Sequence, residues 1–299
     1  MSRPGAPSTW KPTVALLLVV VIWGATFTVV KEALEDASTL AFLALRFSLA
    51  SVVLAIVLAP RLGTLRPLGA SVRAGLLAGL ALFGGYFFQT AGLRYTSAPK
   101  SAFITSLSVV AVPLLAAFVY KSVPRPAEMA GVALATSGLA LLTLQGQGPA
   151  MGWGDLLTLG CAFCFGAHVL VLAHFAPRCS FEVLSLTQIC LTAVIALGSF
   201  WWAEPARIEW TPRLWFALGV TGVLATALAF SVQTWAQRHL TPLRTALILA
   251  MEPVFAWITS YVAAGESLSP RRAAGAMLIL AGALLAELKP SQRRTHPFT

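Results

Sequence analysis

Runs of about twenty apolar residues alternate along this chain with short polar breaks, and that run length matches the hydrocarbon core of a bilayer. The runs fall near 13–32, 39–59, 73–93, 98–120, 127–145, 153–174, 182–202, 213–235, 241–263 and 271–288. The breaks carry turn chemistry, such as Glu35-Asp36, Pro124-Arg125-Pro126, Thr241-Pro242 and Ser269-Pro270. No break has room for a soluble domain. The first run continues through Trp23–Phe27 (WGATF) without a small-residue cleavage signature, so it reads as a retained helix and not as a signal peptide. The pattern predicts an all-α integral membrane protein with ten transmembrane helices.

The pattern also repeats. Shifted by 144 residues, QTAGLRYTSAPKSAFI lies over QTWAQRHLTPLRTALI, so that Gln89 meets Gln233, Arg94 meets Arg238 and Ile104 meets Ile248. At the same offset Gly131 meets Gly275 and Gly138 meets Gly282; earlier helices align at 142, where Arg46 meets Gln188. Two five-helix units follow, residues 13–147 and 148–288, with tails at 1–12 and 289–299. Five is odd, so the second unit enters the membrane from the opposite side. Inverted repeats of this kind place a site near the midplane between the halves.

Composition sharpens the class. The 299 residues are 58% hydrophobic and 11% charged, with mean hydropathy +0.80, which a soluble domain does not reach. The net charge of +10 would suggest nucleic acid in a soluble protein, but here it fits basic cytoplasmic loops, and no nucleic-acid partner is read. With the N-terminus inside, thirteen Lys and Arg fall inside and seven outside, Arg46 being set aside within a helix; both tails are therefore expected in the cytoplasm. Cys161 and Cys164 form a C-x-x-C inside an apolar run, without further zinc ligands or a soluble redox context, and read as packing residues. No metal and no cofactor is implied.

Against this background the polar residues inside the apolar runs stand out. Glu252, followed at once by Pro253, lies about eleven residues into its run, roughly 16 Å deep. Carboxylates at that depth face a cavity or a partner, and the proline frees a carbonyl that must find protein or water.

Longer stretches now carry a likeness. EPVFAWITSYVAAGE (Glu252–Glu266), WGATF (Trp23–Phe27) and LRYTSAPKSAFITSLSVVAVPLLAA (Leu93–Ala117), with the paired five-helix units, resemble the EamA branch of the drug/metabolite transporter superfamily over nearly the whole chain. The resemblance implies ten helices around a central cavity, both termini cytoplasmic, and a place in the bacterial inner membrane. It also implies export of amino acids, related metabolites or toxic small molecules. One departure is visible: Glu252-Pro253 aligns with Ser108-Val109, and the first half has its proline one turn later, at Pro113. The two halves are not functionally equivalent.

Candidate site residues follow, each with a plainer alternative. Glu252 reads as a proton site, a counter-charge for a substrate ammonium, or a structural acceptor beside the proline break. Arg46 binds a carboxylate, pairs with Glu252 or a helix end, or snorkels to the interface. Ser101, Thr105 and Ser108 share a face at i, i+4, i+7, and Thr245 with Glu252 forms the matching face; the hydroxyls otherwise bond back to their own helices. His168 reads as a proton carrier or a neutral core histidine, with Gln188 standing at the repeat position of Arg46. Gln89 and Gln233 read substrate or latch loops. Trp23, Phe27, Tyr86, Phe103, Phe165, Phe230 and Trp257 line an aromatic pocket or face lipid.

The glycine pairs Gly131/Gly138 and Gly275/Gly282 predict close helix packing. No phosphate-binding G-x-x-x-x-G-K-[ST] loop occurs, so ATP is not the direct energy source. The reading is a secondary transporter by alternating access, not an enzyme, with a small-molecule substrate, the lipid bilayer and protons as a coupling ion for partners. A monomer suffices to enclose a path. A lipid flippase or scaffold on the same fold, and an intramembrane enzyme, are the alternatives.

Overall fold

The computed structural model describes residues 9–62, 68–121, 124–143, 151–264 and 270–287; most of both expected tails lies outside them. The described chain is helical. Helix α1 spans Trp10–Ala33, α2 Thr39–Leu62, α3 Leu68–Leu93, α4 Ala98–Ser106, α5 Ser108–Tyr120 and α6 Pro126–Thr143. Then come α7 at Trp153–Phe175, α8 at Phe181–Ser199, α9 at Pro212–Leu218, a π-helical segment at Gly219–Leu228 and α10 at Ala229–Ala236. Helices α11 Pro242–Leu249, α12 Glu252–Ala264 and α13 Pro270–Glu287 complete it. Starts are set by local chemistry: Ser97, Ser180, Thr211 and Thr241 each accept from the backbone N–H three residues on, and Pro212 and Pro242 follow their caps directly.

Seven helical stretches among the described residues are long and apolar enough to cross a membrane: 10–33, 39–61, 68–93, 98–120, 153–178, 181–199 and 212–236. Pro126–Leu142 is a shorter apolar helix. The chain is a multi-pass membrane protein, and its surface agrees. Large side chains such as Leu18, Ile56 and Phe118 are exposed, while Arg46, Gln188, Gln233 and Glu252 are buried.

Three of the expected spans are not single regular helices. The run 98–120 breaks at Leu107, whose N–H reaches back to Ile104 in a tight turn, and the run 241–263 breaks at Ala250-Met251. Proline is the physical cause in the second case: Pro253 has no N–H, so a helix restarts there at no cost to its hydrogen bonding. Pro113 likewise leaves the Val109 carbonyl without its helical donor. Leu107 and Met251 are 144 residues apart, so the breaks are repeat mates (251 − 107). The third departure is the π-helical segment inside the expected span 213–235. There the Thr226 hydroxyl donates to the Thr221 carbonyl, five residues back, at 2.7 Å.

Glycines set the crossings. A Cβ on Gly138 would lie 2.5 Å from the Gly275 carbonyl oxygen, and one on Gly282 2.5 Å from that of Gly131. Helices α6 and α13 therefore touch backbone to backbone, as the spacing predicts. Gly92 and Gly154 do the same for α3 and α7, each within 2.8 Å of the other's carbonyl oxygen.

Latches close both ends of the bundle. At one end Arg213 grips Asp36 with two nitrogens, at 2.7 and 2.6 Å, and Thr211 donates to the same carboxylate at 2.7 Å. Arg94 there donates to Thr39 and to the Leu34 and Ala37 carbonyls. Lys100 pairs with the buried Asp155 at 2.5 Å, and Thr96 donates to that carboxylate at 2.7 Å. At the far end, about 27 Å away along α1 by helical rise, Arg244 donates to Thr9 at 2.8 Å and Thr13 at 3.0 Å. The repeat relates these contacts: Lys100 meets Arg244 at the 144 offset, and Thr13 meets Asp155 at 142. Likewise Arg94 and Thr39 meet Arg238 and Phe181, and the Arg238 guanidinium lies 5.9 Å over the Phe181 ring.

The hydrogen-bonded Arg213 guanidinium, with help from Thr211 and against burial, holds the Asp36 pKa down at about 2 from its ordinary 3.8. A carboxyl depressed on folding stabilises the fold above its ordinary pKa and loses that contribution as pH falls through the lower value. The Asp36→Asn variant is therefore expected to melt below the wild type at neutral pH. The gap should shrink as pH falls from about 4 towards about 2. Detergent melts across that range test it, and a gap of constant size would discount the ion pair.

Candidate functional site

The site sits where the broken helices meet α1, α2, α3 and α7. Gly24 is why α1 comes so close: its missing Cβ would lie 2.7 Å from the Glu252 carbonyl oxygen and 2.8 Å from the Ala256 nitrogen. The contact holds α1 against the first turn of α12, at the break itself. One cavity opens there.

Arg46 is 2% exposed, which rules out snorkelling. Its Nε donates to Thr226 Oγ1 at 2.8 Å and its Nη2 to the Tyr86 hydroxyl at 3.1 Å, and the guanidinium lies 4.5 Å over the Tyr86 ring. Thr226 is offered by the π-helical segment. That segment also turns the Ala225 carbonyl outward to accept from Trp23 Nε1 at 2.8 Å. The expected pairing of Arg46 with Glu252 is not found among the described ion pairs, although both line the cavity. Tyr86 and Thr226 hold the guanidinium instead.

Glu252 is 8% exposed, and no donor among the described residues reaches its carboxylate, so the structural-acceptor reading finds no contact. A carboxylate and a guanidinium thus face one cavity without neutralising each other directly. The same cavity has an aromatic wall. Tyr86 meets Phe165 and Phe230 edge-on at 5.3 and 5.9 Å, and Trp23 packs on Phe230 at 5.1 Å.

On α7, His168 is bonded through Nε2 to Gln188 Oε1 at 2.8 Å, and Gln188 Nε2 donates to Thr234 at 3.0 Å. Gln188 therefore stands behind the wall and positions His168. Gln89 donates to Thr105 at 3.2 Å, and both line the cavity with Ser108, Phe27 and Gln233. Cys161 and Cys164 are free thiols, and the Thr105 hydroxyl lies 3.7 Å from Cys161 Sγ.

Four further candidates are away from the cavity. Ser101 lies one turn nearer the start of α4 than Thr105 and is fully buried; its repeat mate Thr245 is buried likewise, and Leu249 reaches the cavity in its place. Phe103 and Trp257 pack against the apolar core. Both positions follow from helix geometry, since Phe103 is about 160° round α4 from Thr105, and Trp257 about 140° round α12 from Glu252. Conversely, Thr26, Val30, Leu93, Ser106 and Val169 line the cavity without having been singled out. Thr26 and Val30 were within reach, because they share a helical face with Trp23 and Phe27. Thr226 carried no sequence signal, since its placement depends on the π-helical segment.

The chain matches the EamA-like transporter family twice, over residues 10–144 and 152–288. An uncharacterized transporter of Archaeoglobus fulgidus is 34% identical over 92% of this chain and 85% of its own length. A probable amino-acid metabolite efflux pump of Salmonella typhimurium is 28% identical over 89% of this chain and 91% of its own. A protein of known crystal structure superposes with TM-score 0.76 at 22% identity, covering 93% of this chain and 96% of the other, a likeness of fold alone. The chain belongs to the EamA-like transporter family and is, by that membership, a transporter.

Proposed function

We propose that this protein is a secondary transporter that exports amino acids or related amphipathic metabolites by alternating access, driven by protons or by the substrate gradient. In this reading it sits in the inner membrane with both termini cytoplasmic. Ten helices form two inverted units, 13–147 and 148–288, and no enzymatic step is involved. The observation that carries it is that Arg46 and Glu252 line one aromatic-walled cavity without forming an ion pair with each other among the described residues. A guanidinium suits a carboxylate, a carboxylate suits an ammonium, and the rings suit an apolar side chain. The Salmonella typhimurium relative, by its name, acts on amino-acid metabolites. Glu252 is assigned the proton or the substrate ammonium, since nothing else among the described residues engages its carboxylate.

Counterflow in liposomes with a panel of labelled amino acids tests this. The wild type is expected to exchange a subset, with aromatic and branched members preferred. If Glu252 carries the proton, Glu252→Gln should keep exchange while proton-driven accumulation falls at least about tenfold, a loss of about 1.4 kcal/mol of driving free energy. If no amino acid is exchanged by folded protein, the substrate assignment fails, and lipids and cationic drugs come next.

A further inference from the structure

Two hydrogen-bond chains behind the aromatic wall have fixed directions, and each ends in an uncommitted acceptor on a residue that lines the cavity. The first begins at Thr234, whose hydroxyl donates to the Phe230 carbonyl at 2.7 Å. That hydroxyl has a single proton, so towards Gln188 it can only accept. The bond at 3.0 Å must therefore come from the Gln188 amide N–H, which turns Gln188 Oε1 to His168. The 2.8 Å bond then requires the proton on His168 Nε2, leaving Nδ1 a lone pair with no hydrogen-bond partner among the described residues. Turning the Gln188 amide over would sacrifice the Thr234–Phe230 bond, and nothing offsets that loss.

The second chain begins at the Val169 carbonyl, which can only accept. It takes the Gln237 Nε2–H at 2.9 Å, so Gln237 Oε1 faces Gln233 and takes its Nε2–H at 3.1 Å. Gln233 is left with Oε1, buried and without a partner. His168 and Gln233 both line the cavity and both are 1% exposed. The chains run side by side, because His168 precedes Val169 and Gln233 precedes Thr234. The His168 ring stands edge-on to Phe230, with centroids 5.7 Å apart.

We infer that His168 Nδ1 and Gln233 Oε1 form an acceptor pair that reads an N–H or O–H donor on the substrate's apolar arm, separate from its ammonium. Arg46 and Tyr86, which line the same cavity, act as donors: Tyr86 accepts from Arg46 and so keeps its own proton to give. A buried acceptor left empty is costly, so a ligand lacking the donor is rejected, whereas an aromatic wall alone barely distinguishes the two. The inference rests on the proposed function, with an amphipathic amine or amino acid as the substrate class. It adds that the arm carries a polar hydrogen.

The test is binding to wild-type protein in detergent, by calorimetry, with matched ligands in which a methyl replaces that hydrogen. Tryptophan is set against 1-methyltryptophan, tyrosine against O-methyltyrosine, and tryptamine against 1-methyltryptamine. The expected result is about 10- to 100-fold weaker binding of each methylated member. In His168→Phe and in Gln233→Met the ratio should fall to within about threefold, through weaker binding of the donor-bearing member. Equal binding within the wild-type pairs would overturn the acceptor pair and leave the transport reading intact, without any variant having to fold. Discrimination by the amine pair alone, with no amino acid bound, would uphold the acceptor pair and overturn the amino-acid assignment. If no donor-bearing ligand binds, both fall.

Discussion

Gly24→Ala is expected to lower thermal stability by about 1–3 kcal/mol and to reduce transport at least about tenfold. The added methyl would stand 2.7 Å from the Glu252 carbonyl oxygen and 2.8 Å from the Ala256 nitrogen. Both are backbone atoms and cannot rotate aside, so α1 and α12 must separate. That separation moves Glu252 relative to the cavity, which links a packing change to function. Gly69→Ala and Gly198→Ala serve as controls, since a Cβ at either position meets nothing within 4 Å. There alanine should be neutral or slightly stabilising, by up to about 1 kcal/mol of helix propensity. Melts in detergent and counterflow in liposomes read both quantities. A Gly24→Ala protein as stable and active as these controls would show that the crossing yields.

Arg46→Lys is expected to cost about 10- to 100-fold in exchange rate although the charge is kept. The guanidinium donates in two directions at once, through Nε to Thr226 and through Nη2 to Tyr86, while it stacks on the Tyr86 ring. An ammonium is a point charge that cannot span both acceptors and hold the same plane. Arg46→Met should be worse still, since it leaves Glu252 as the cavity's single formal charge among its described lining residues. The measurement is counterflow at matched protein content, with melting curves to confirm folding. Wild-type exchange by Arg46→Lys would mean that the charge alone suffices.

Much of this architecture was legible in the sequence, for physical reasons. A lipid-facing helix has to be apolar over a fixed length, so its runs are visible, and the glycines of α6 and α13 had to recur every seven residues to let backbones touch. Glu252-Pro253 announced a break because proline cannot donate. The break at Leu107 was hidden, since the repeat position of Pro253 is Val109 and not a proline. The π-helical segment was hidden too, because its distinguishing contacts are tertiary, Thr226 with Arg46 and Ala225 with Trp23. Ser101, Phe103, Thr245 and Trp257 were chosen for chemistry or for a helical face, and depth or rotation about the axis removed them from the cavity.

The latches at the two ends bear on how the molecule divides its time. In the alternating-access reading, identical halves would make the conformation closed at one end and that closed at the other equal in energy, each occupied half the time. Here Lys100 pairs with the Asp155 carboxylate at one end, and at its repeat position Arg244 donates to the Thr9 and Thr13 hydroxyls. The same exchange recurs with Arg94 and Arg238, hydrogen bonds at one end facing a ring contact at the other. In the alternating-access reading proposed above, duplication would supply a symmetrical rocker and point substitution would load it unevenly, so that its rest position would be set by a few polar side chains and not by the fold.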